Sequence, residues 1–221
     1  MVPKWRGSLQ GWKLPPARVA VFIDYQNVYK GARNAFCWGS GNHADGQVDP
    51  LKVGGIIKGL RSPVRALSDV RVYRGMPSNN TDSKGYSAAL RQVSLWDQHH
   101  LVTPRVRPLN YGDPAGPREK GIDVLLAVDF VLGAARNEYD IGVIFSADTD
   151  LIPALEAVIA MKGEQAVEVA CWVPPQYGLG GRQHPKPLSV KGHLLHRHGL
   201  REAEYNLVHD ATDYTRQRKR R

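Results

Sequence analysis

Residues 140–160 read DIGVIFSADTDLIPALEAVIA, and this stretch decides the fold. Its residues 141–145 form a short apolar run rich in β-branched side chains, which is typical of a buried parallel strand. Apolar residues then recur at helical spacing from Leu151, and Pro153 is tolerated there only in the first helical turn. The pattern therefore predicts a strand that ends at 146–150 and turns directly into a helix.

Two carboxylates, Asp148 and Asp150, lie within this predicted turn. Open α/β sheets place their functional sites at the carboxyl ends of their strands, so the position favours a site. A single Asp at such a turn often does no more than cap the helix. Two of them within three residues repel each other unless a cation or a basic ligand lies between them, which favours function for the pair.

A further carboxylate, Asp24, follows the first predicted strand, residues 18–23 with the sequence RVAVFI. Asn27 comes three residues later, at the start of the next predicted helix. The alternative is that Asp24 only caps this helix and that Asn27 bonds to the backbone. If the first and fourth strands are neighbours, Asp24 and Asp148 meet at one edge of the sheet.

The strongest predicted helix covers residues 121–136 and carries Asp123 in its first turn, where the helix dipole favours a carboxylate. Asp123 reaches the same edge of the sheet only if this helix begins over the cleft at the carboxyl ends of the strands. Asp129 lies six residues further on, about 120° around the helix, so the two carboxylates cannot face one small site. We therefore interpret Asp129 as structural.

Strand and helix patterns alternate through the chain, which predicts a three-layer α/β/α fold with a central parallel sheet of five or six strands. His193, His196 and His198 fit no standard zinc spacing and favour a basic surface helix within a last helical segment, 190–208. The other predicted elements are strands at 70–73, 101–106 and 167–172, helices at 51–60 and 86–100, and a surface loop at 74–84.

The composition predicts one domain, 18–210, between an N-terminal arm, 1–17, and a basic tail, 211–221. No apolar run approaches the length of a membrane span, and the first residues lack the continuous apolar core of a signal peptide. The two cysteines have neither metal-binding nor disulfide spacing, so we predict a cytoplasmic protein with no membrane partner. A net charge of +9 favours a polyanionic partner such as RNA or DNA, and the alternative is a solvated basic surface.

Three segments of the chain stand out together, and they are VFIDYQNVYKGA at 21–32, EKGIDVLLAVDFV at 119–131 and IGVIFSADTDLIPALEAV at 141–158. They resemble the NYN domain, a branch of the PIN-like nuclease superfamily, and its LabA-like members in particular. They are similar to the family's strand-Asp-x-x-Asn opening, its Lys-Gly-hydrophobic-Asp helix start and its Ser-x-Asp-x-Asp turn. The order and spacing of the three motifs make the resemblance specific over about 18–173.

The resemblance implies a metal-dependent endoribonuclease that holds Mg²⁺ or Mn²⁺ on acidic residues. Carried over to this chain, the catalytic and metal-binding cluster is Asp24, Asp123, Asp148 and Asp150. By the same resemblance, Asn27 orients a carboxylate or the substrate, and Ser146 bonds within the cluster. Basic residues around the site are expected to contact the RNA backbone, although each alone could be a solvated side chain; they are Lys120 and Arg74, with Lys30, Arg33, Lys84 and Arg118. One departure is that many PIN nucleases place an acidic residue on an early helix. The candidates here, Asp82 and Asp97, lie in no matching motif, and NYN members often lack this residue.

Two other functions remain open. A catalytically silent module on the same fold would bind RNA or a regulatory protein, and a homodimer is also compatible with the sequence. A small-molecule enzyme is the third alternative, but the first strand is not followed by Gly-x-Gly-x-x-Gly and the chain has no Gly-x-Ser-x-Gly. The intact set of four aspartates favours the nuclease.

Overall fold

The structure is a computed structural model that describes residues 15–61, 64–112, 116–118, 120–175 and 186–216. Strands and helices alternate through most of this part of the chain. The strands are β1 (Ala17–Asp24), β2 (Arg65–Met76), β3 (Val102–Pro108), β4 (Ile141–Phe145), β5 (Val167–Trp172) and β6 (His196–Leu200). The helices are α1 (Tyr25–Phe36), α2 (Pro50–Gly59), α3 (Ser83–Trp96), α4 (Ile122–Ala135), α5 (Ile152–Lys162) and α6 (Glu202–Val208).

All six strands pair in parallel, in the order β3-β2-β1-β4-β5-β6. The first and fourth strands are therefore neighbours, and their register places Ile23 opposite Phe145. The residues that follow these two strands consequently meet at the carboxyl edge of the sheet. The structure confirms the predicted parallel sheet, and it fulfils the condition under which Asp24 and Asp148 meet.

Two apolar layers hold the helices on the faces of the sheet. Side chains of β1 alternate between them, with Val21 in one layer and Phe22 in the other. The Val21 layer packs under α1, α2 and α6, and the Phe22 layer packs under α4 and α5. This arrangement confirms the three-layer α/β/α prediction.

Two local predictions are wrong. Residues 74–76 belong to β2 rather than to a loop, because they pair with Val106–Pro108 of β3. His196 and His198 lie on strand β6 rather than on a surface helix, because this segment pairs with β5 and buries His198 against Glu168. A buried hydrogen bond of this kind leaves no apolar periodicity in the sequence, which explains the error.

The structure describes only part of the predicted arm and of the predicted basic tail. The predicted arm lies outside the described residues except for its last three, 15–17, and so do the final residues, 217–221. Residues 211–216 are described, and Tyr214 among them is buried and accepts a hydrogen bond from Arg91 Nε through its carbonyl oxygen, at 2.7 Å. In the described part, no helix combines the length and the apolar character needed to cross a bilayer.

Candidate active site

Asp24 lies where β1 turns into α1 and is largely buried, with 9% of its surface exposed. Its Oδ1 accepts a hydrogen bond from the main-chain N–H of Asn27 at 3.2 Å, so Asp24 caps α1. Its Oδ2 accepts a hydrogen bond from the Ser146 hydroxyl at 2.9 Å, which joins the end of β1 to the turn after β4. Asp24 therefore both caps α1 and belongs to the cluster that joins β1 to the turn after β4.

The turn after β4 is fixed by hydrogen bonds from both sides. Ser146 Oγ accepts from the main-chain N–H of Asp148 at 3.1 Å, while Asn27 Oδ1 accepts from the main-chain N–H of Ala147 at 3.0 Å. Asp148 Oδ1 in turn accepts from the main-chain N–H of Asp150 at 3.0 Å and caps a short 3-10 turn, Thr149–Leu151. Ser146 and Asn27 thus hold the backbone that carries Asp148.

Three carboxylates from three separate elements line one cavity of about 430 Å³. Asp24 comes from the end of β1, Asp148 from the turn after β4, and Asp123 from the first turn of α4. Gly121 precedes α4 with a φ of 73°, a conformation that side chains rarely adopt. We call this space the acidic cavity; Gln26, Asn27, Lys30, Pro117, Arg118 and Ile122 complete its lining.

Other predicted site residues lie elsewhere. Asp150 and Lys120 are exposed, and neither is among the described residues that line the acidic cavity. Arg74 lies on β2 and lines a neighbouring cavity instead. Asp129 accepts a hydrogen bond from the Tyr73 hydroxyl at 3.0 Å and pairs with an arginine of β3, so it stabilises the fold.

Three residues that line the acidic cavity were not predicted from the sequence, and they are Gln26, Pro117 and Ile122. Gln26 lines both the acidic cavity and its neighbour. The only signal for it is its place between Asp24 and Asn27 in the turn after β1. Arg118 was noted only as one of several basic residues, and it reaches the cavity from a loop that is held by paired main-chain bonds to Asn110.

The three carboxylates interact electrostatically. Burial raises the pKa of Asp24, hydrogen bonds from Asn27 and Ser146 counteract that rise, and the charges of Asp148 and Asp123 add to it. A cation placed among these oxygens would relieve their repulsion. Carboxylates are the ligands that Mg²⁺ and Mn²⁺ prefer, so the chemistry of the donor set fits a divalent metal.

The side chains do not form a ready-made metal cage. Within the described residues, no group of three or more His, Cys, Asp or Glu side chains is arranged to hold a metal ion. Mg²⁺ is usually bound by one or two carboxylates together with waters and substrate phosphates, rather than by an all-protein cage. A metal in the acidic cavity would therefore be held by one or two of Asp24, Asp123 and Asp148, which line it.

We expect Asp24→Asn to stabilise the protein at neutral pH by about 1 kcal/mol in the absence of divalent metal. Asn keeps an oxygen for the Asn27 N–H and caps helices as well as Asp does, but it removes a charge that burial disfavours. Because the pKa of Asp24 is raised in the folded state, the wild type loses stability as the pH rises from 3.8 through the raised value. The difference between the two proteins should therefore vanish in acid, as measured by urea unfolding across pH.

Asp140→Asn is the matched control for this experiment. Hydrogen bonds from Arg18 lower the pKa of Asp140, so this carboxylate stabilises the fold when it is charged. Its replacement should cost a little stability at neutral pH, which is the opposite sign. If Asp24→Asn is less stable than the wild type at pH 7, the buried charge of Asp24 does not destabilise the folded protein as inferred.

A family model of the NYN domain matches residues 18–174. Among solved structures, the chain is similar to a crystal structure of a protein of unknown function from Vibrio parahaemolyticus. The two share 17% sequence identity, with 72% of this chain and 82% of that chain covered and a TM-score of 0.44. No curated protein matches the chain. Because the family model covers most of the chain, from β1 through β5, the protein belongs to the NYN domain family, a nuclease-type branch of the PIN-like superfamily.

Proposed function

We propose that this protein is a divalent-metal-dependent endoribonuclease whose reaction takes place in the acidic cavity. The observation that carries the proposal is the meeting of Asp24, Asp123 and Asp148, from three elements far apart in sequence, in one cavity at the carboxyl edge of the sheet. Family membership supports a nuclease. The net charge of +9 supports a polyanionic substrate.

Each group in the cavity has a proposed role. One or two of Asp24, Asp123 and Asp148 would hold the metal, together with waters and substrate phosphates. Ser146 orients the Asp24 carboxylate and holds the main chain of Asp148 through its hydrogen bonds. Mg²⁺ or Mn²⁺, when bound, supplies charge neutralisation and an acidified water for in-line attack on a phosphodiester. Lys30 and Arg118, among the lining residues, would contact phosphate oxygens on either side of the cleaved bond.

The more distant predicted residues have weaker roles under this proposal. Lys120 is exposed beside the cavity and would add salt-dependent attraction for the RNA backbone. Asp150 would contribute negative charge at the rim, and its main-chain N–H orients the carboxylate of Asp148. Cytoplasmic location, a homodimer and a regulatory protein partner remain predictions from the sequence.

A catalytically silent RNA-binding module is the second candidate. It is favoured by one observation, which is that the described carboxylates form no three-residue metal cage. Such a module would keep the basic groups of the cavity and bind RNA without cutting it. The same assay separates the two candidates.

We expect the full-length protein to cut mixed end-labelled RNAs with Mn²⁺ or Mg²⁺ and to lose all cutting in EDTA. Asp123→Asn should weaken cutting under every condition, because it removes one of the three carboxylates. Asp129→Asn, on the same helix, should keep it, because that side chain bonds to Tyr73 instead. RNA binding without cleavage under any of these metals would favour the silent module.

A further inference from the structure

A second cavity, of about 370 Å³, adjoins the acidic cavity at the same edge of the sheet. Gln26 lines both cavities, and Tyr25 in the second cavity directly follows Asp24 in the first. We call it the tyrosine cavity. Its walls come from the first turns of α1, the loop at 43–47, the end of β2, one face of α3 and the segment 213–215.

Three tyrosines contribute to the described walls of the tyrosine cavity. Tyr25, Tyr29 and Tyr214 all line it, and its wall is mostly apolar. The Arg74 guanidinium lies over the Tyr25 ring at 5.3 Å from its centre and over the Trp96 ring at 5.8 Å. Tyr25 and Tyr214 are buried, so the half-buried Tyr29 ring and the Arg74 guanidinium plane are the surfaces left to stack on a ligand. Aromatic rings and guanidinium planes both stack on unpaired nucleobases, which are the planar groups that a single-stranded RNA presents.

A buried polar network holds these walls rigid. Gln92 Nε2 donates to the Tyr25 hydroxyl at 2.7 Å and to Gln47 Oε1 at 2.8 Å, and Arg74 donates to Gln92 Oε1. Gln92 is 3% exposed and Tyr25 is 4% exposed. A pre-formed cavity binds its ligand without the cost of ordering its side chains. The volume is at the small end of the range for small-molecule sites, which suits one planar group and not a helix.

The two cavities differ in character, as the parts of a nucleotide do. The acidic cavity is lined by charged groups and suits phosphate oxygens with a metal, whereas the tyrosine cavity is mostly apolar. Since they share Gln26, one strand can place a phosphate in the first and a neighbouring base in the second. We propose that the tyrosine cavity binds one unpaired base of the RNA strand that occupies the acidic cavity, an inference that rests on the proposed nuclease function.

Ala88 offers a variant that fills this cavity. It lies on the face of α3 that lines the tyrosine cavity, so Ala88→Phe would occupy the space while leaving every carboxylate and tyrosine in place. Leu90→Phe is the matched control, because Leu90 is exposed about 200° around the same helix and is not among the described lining residues. Ala88→Leu adds less volume and should give an intermediate result.

The test is a scan of abasic sites by fluorescence anisotropy, without any cleavage step. A labelled single-stranded RNA of about eight nucleotides is bound to the Asp148→Asn protein in Mg²⁺, and each base is removed in turn. We expect removal of one particular base to weaken binding by about tenfold. That loss should disappear when Ala88→Phe is added and should persist with Leu90→Phe. Thermal unfolding checks that each variant folds.

The outcomes separate this inference from the proposed activity. If no single abasic site weakens binding by more than about twofold, or if Ala88→Phe and Leu90→Phe give the same profile, the base pocket is refuted. If the base-dependent loss vanishes with Ala88→Phe but the wild type cuts no RNA with any metal, the pocket stands and the nuclease proposal fails. Absence of any RNA binding overturns both.

Discussion

Asp148→Asn is expected to lower the rate of RNA cleavage by about a thousandfold, the largest effect of any single substitution proposed for activity. Asp148 lines the acidic cavity with Asp24 and Asp123. Asn removes the negative charge but keeps an oxygen for the N–H of Asp150, so the turn stays capped. The loss should therefore appear in the rate constant under saturating RNA and not in the thermal midpoint.

Asp150→Asn is the matched control, two residues away in the same turn. Its side chain is exposed and is not among the described residues that line the cavity, so the expected loss is less than about tenfold. Single-turnover cleavage at saturating Mn²⁺ measures both variants. Equal losses for the two would mean that Asp150 turns into the cavity when RNA binds, as the resemblance to the family's motif implied. No loss for Asp148→Asn would remove the acidic cavity as the site.

Glu168→Gln should lower the free energy of unfolding by about 3 kcal/mol, the largest effect expected on stability. Glu168 is 1% exposed and accepts two hydrogen bonds from Arg65, both at 2.9 Å. It also pairs with Arg61 and lies 2.7 Å from His198 Nε2. The substitution leaves the largely buried Arg65 charge without its carboxylate, and uncompensated buried charges are costly.

The pH dependence follows from the same contacts. Burial raises the pKa of Glu168, but hydrogen bonds from His198 and Arg65 outweigh burial and hold the pKa at about 2, below the ordinary 4.5. The carboxylate therefore stabilises the fold fully above pH 4.5, and this contribution is lost as the pH falls toward 2. Glu168→Gln should flatten that part of the profile in urea unfolding.

Asp140→Asn again provides the control, here as an exposed ion pair. Arg18 and Asp140 are 44% and 46% exposed, and exposed pairs contribute less than about 1 kcal/mol. If Glu168→Gln costs no more than Asp140→Asn, the Glu168 network does not stabilise the fold as its burial suggests.

The sequence indicated two of the carboxylate positions directly. The apolar run at 141–145 and the earlier RVAVFI each end at a polar turn, and strand ends of a parallel sheet share one edge. Asp24 and Asp148 could therefore be assigned to a candidate site from the sequence alone. Whether they meet depended on strand order, because only the pairing of β1 with β4 joins them through Ser146.

Sequence patterns could not decide which of the neighbouring polar residues line the acidic cavity. Asp148 and Asp150 are equivalent by spacing, and the geometry of the 3-10 turn alone directs the first into the cavity and leaves the second exposed. Arg74 was predicted to bind substrate beside the acidic cluster. The structure instead places Arg74 in β2, which continues to Met76 because it pairs with β3. There Arg74 lines the tyrosine cavity and donates a hydrogen bond to Gln92.

Strand and helix identity over most of the chain and the acidic edge of the sheet follow from local apolar periodicity, which the sequence carries by itself. Tertiary structure alone decided that β6 is a strand, that Gln47 and Gln92 form a buried network with Tyr25, and that a second cavity opens beside the carboxylates. These features depend on partners far apart in the chain. Their hydrogen bonds and ion pairs leave no periodic signal in the residues that make them.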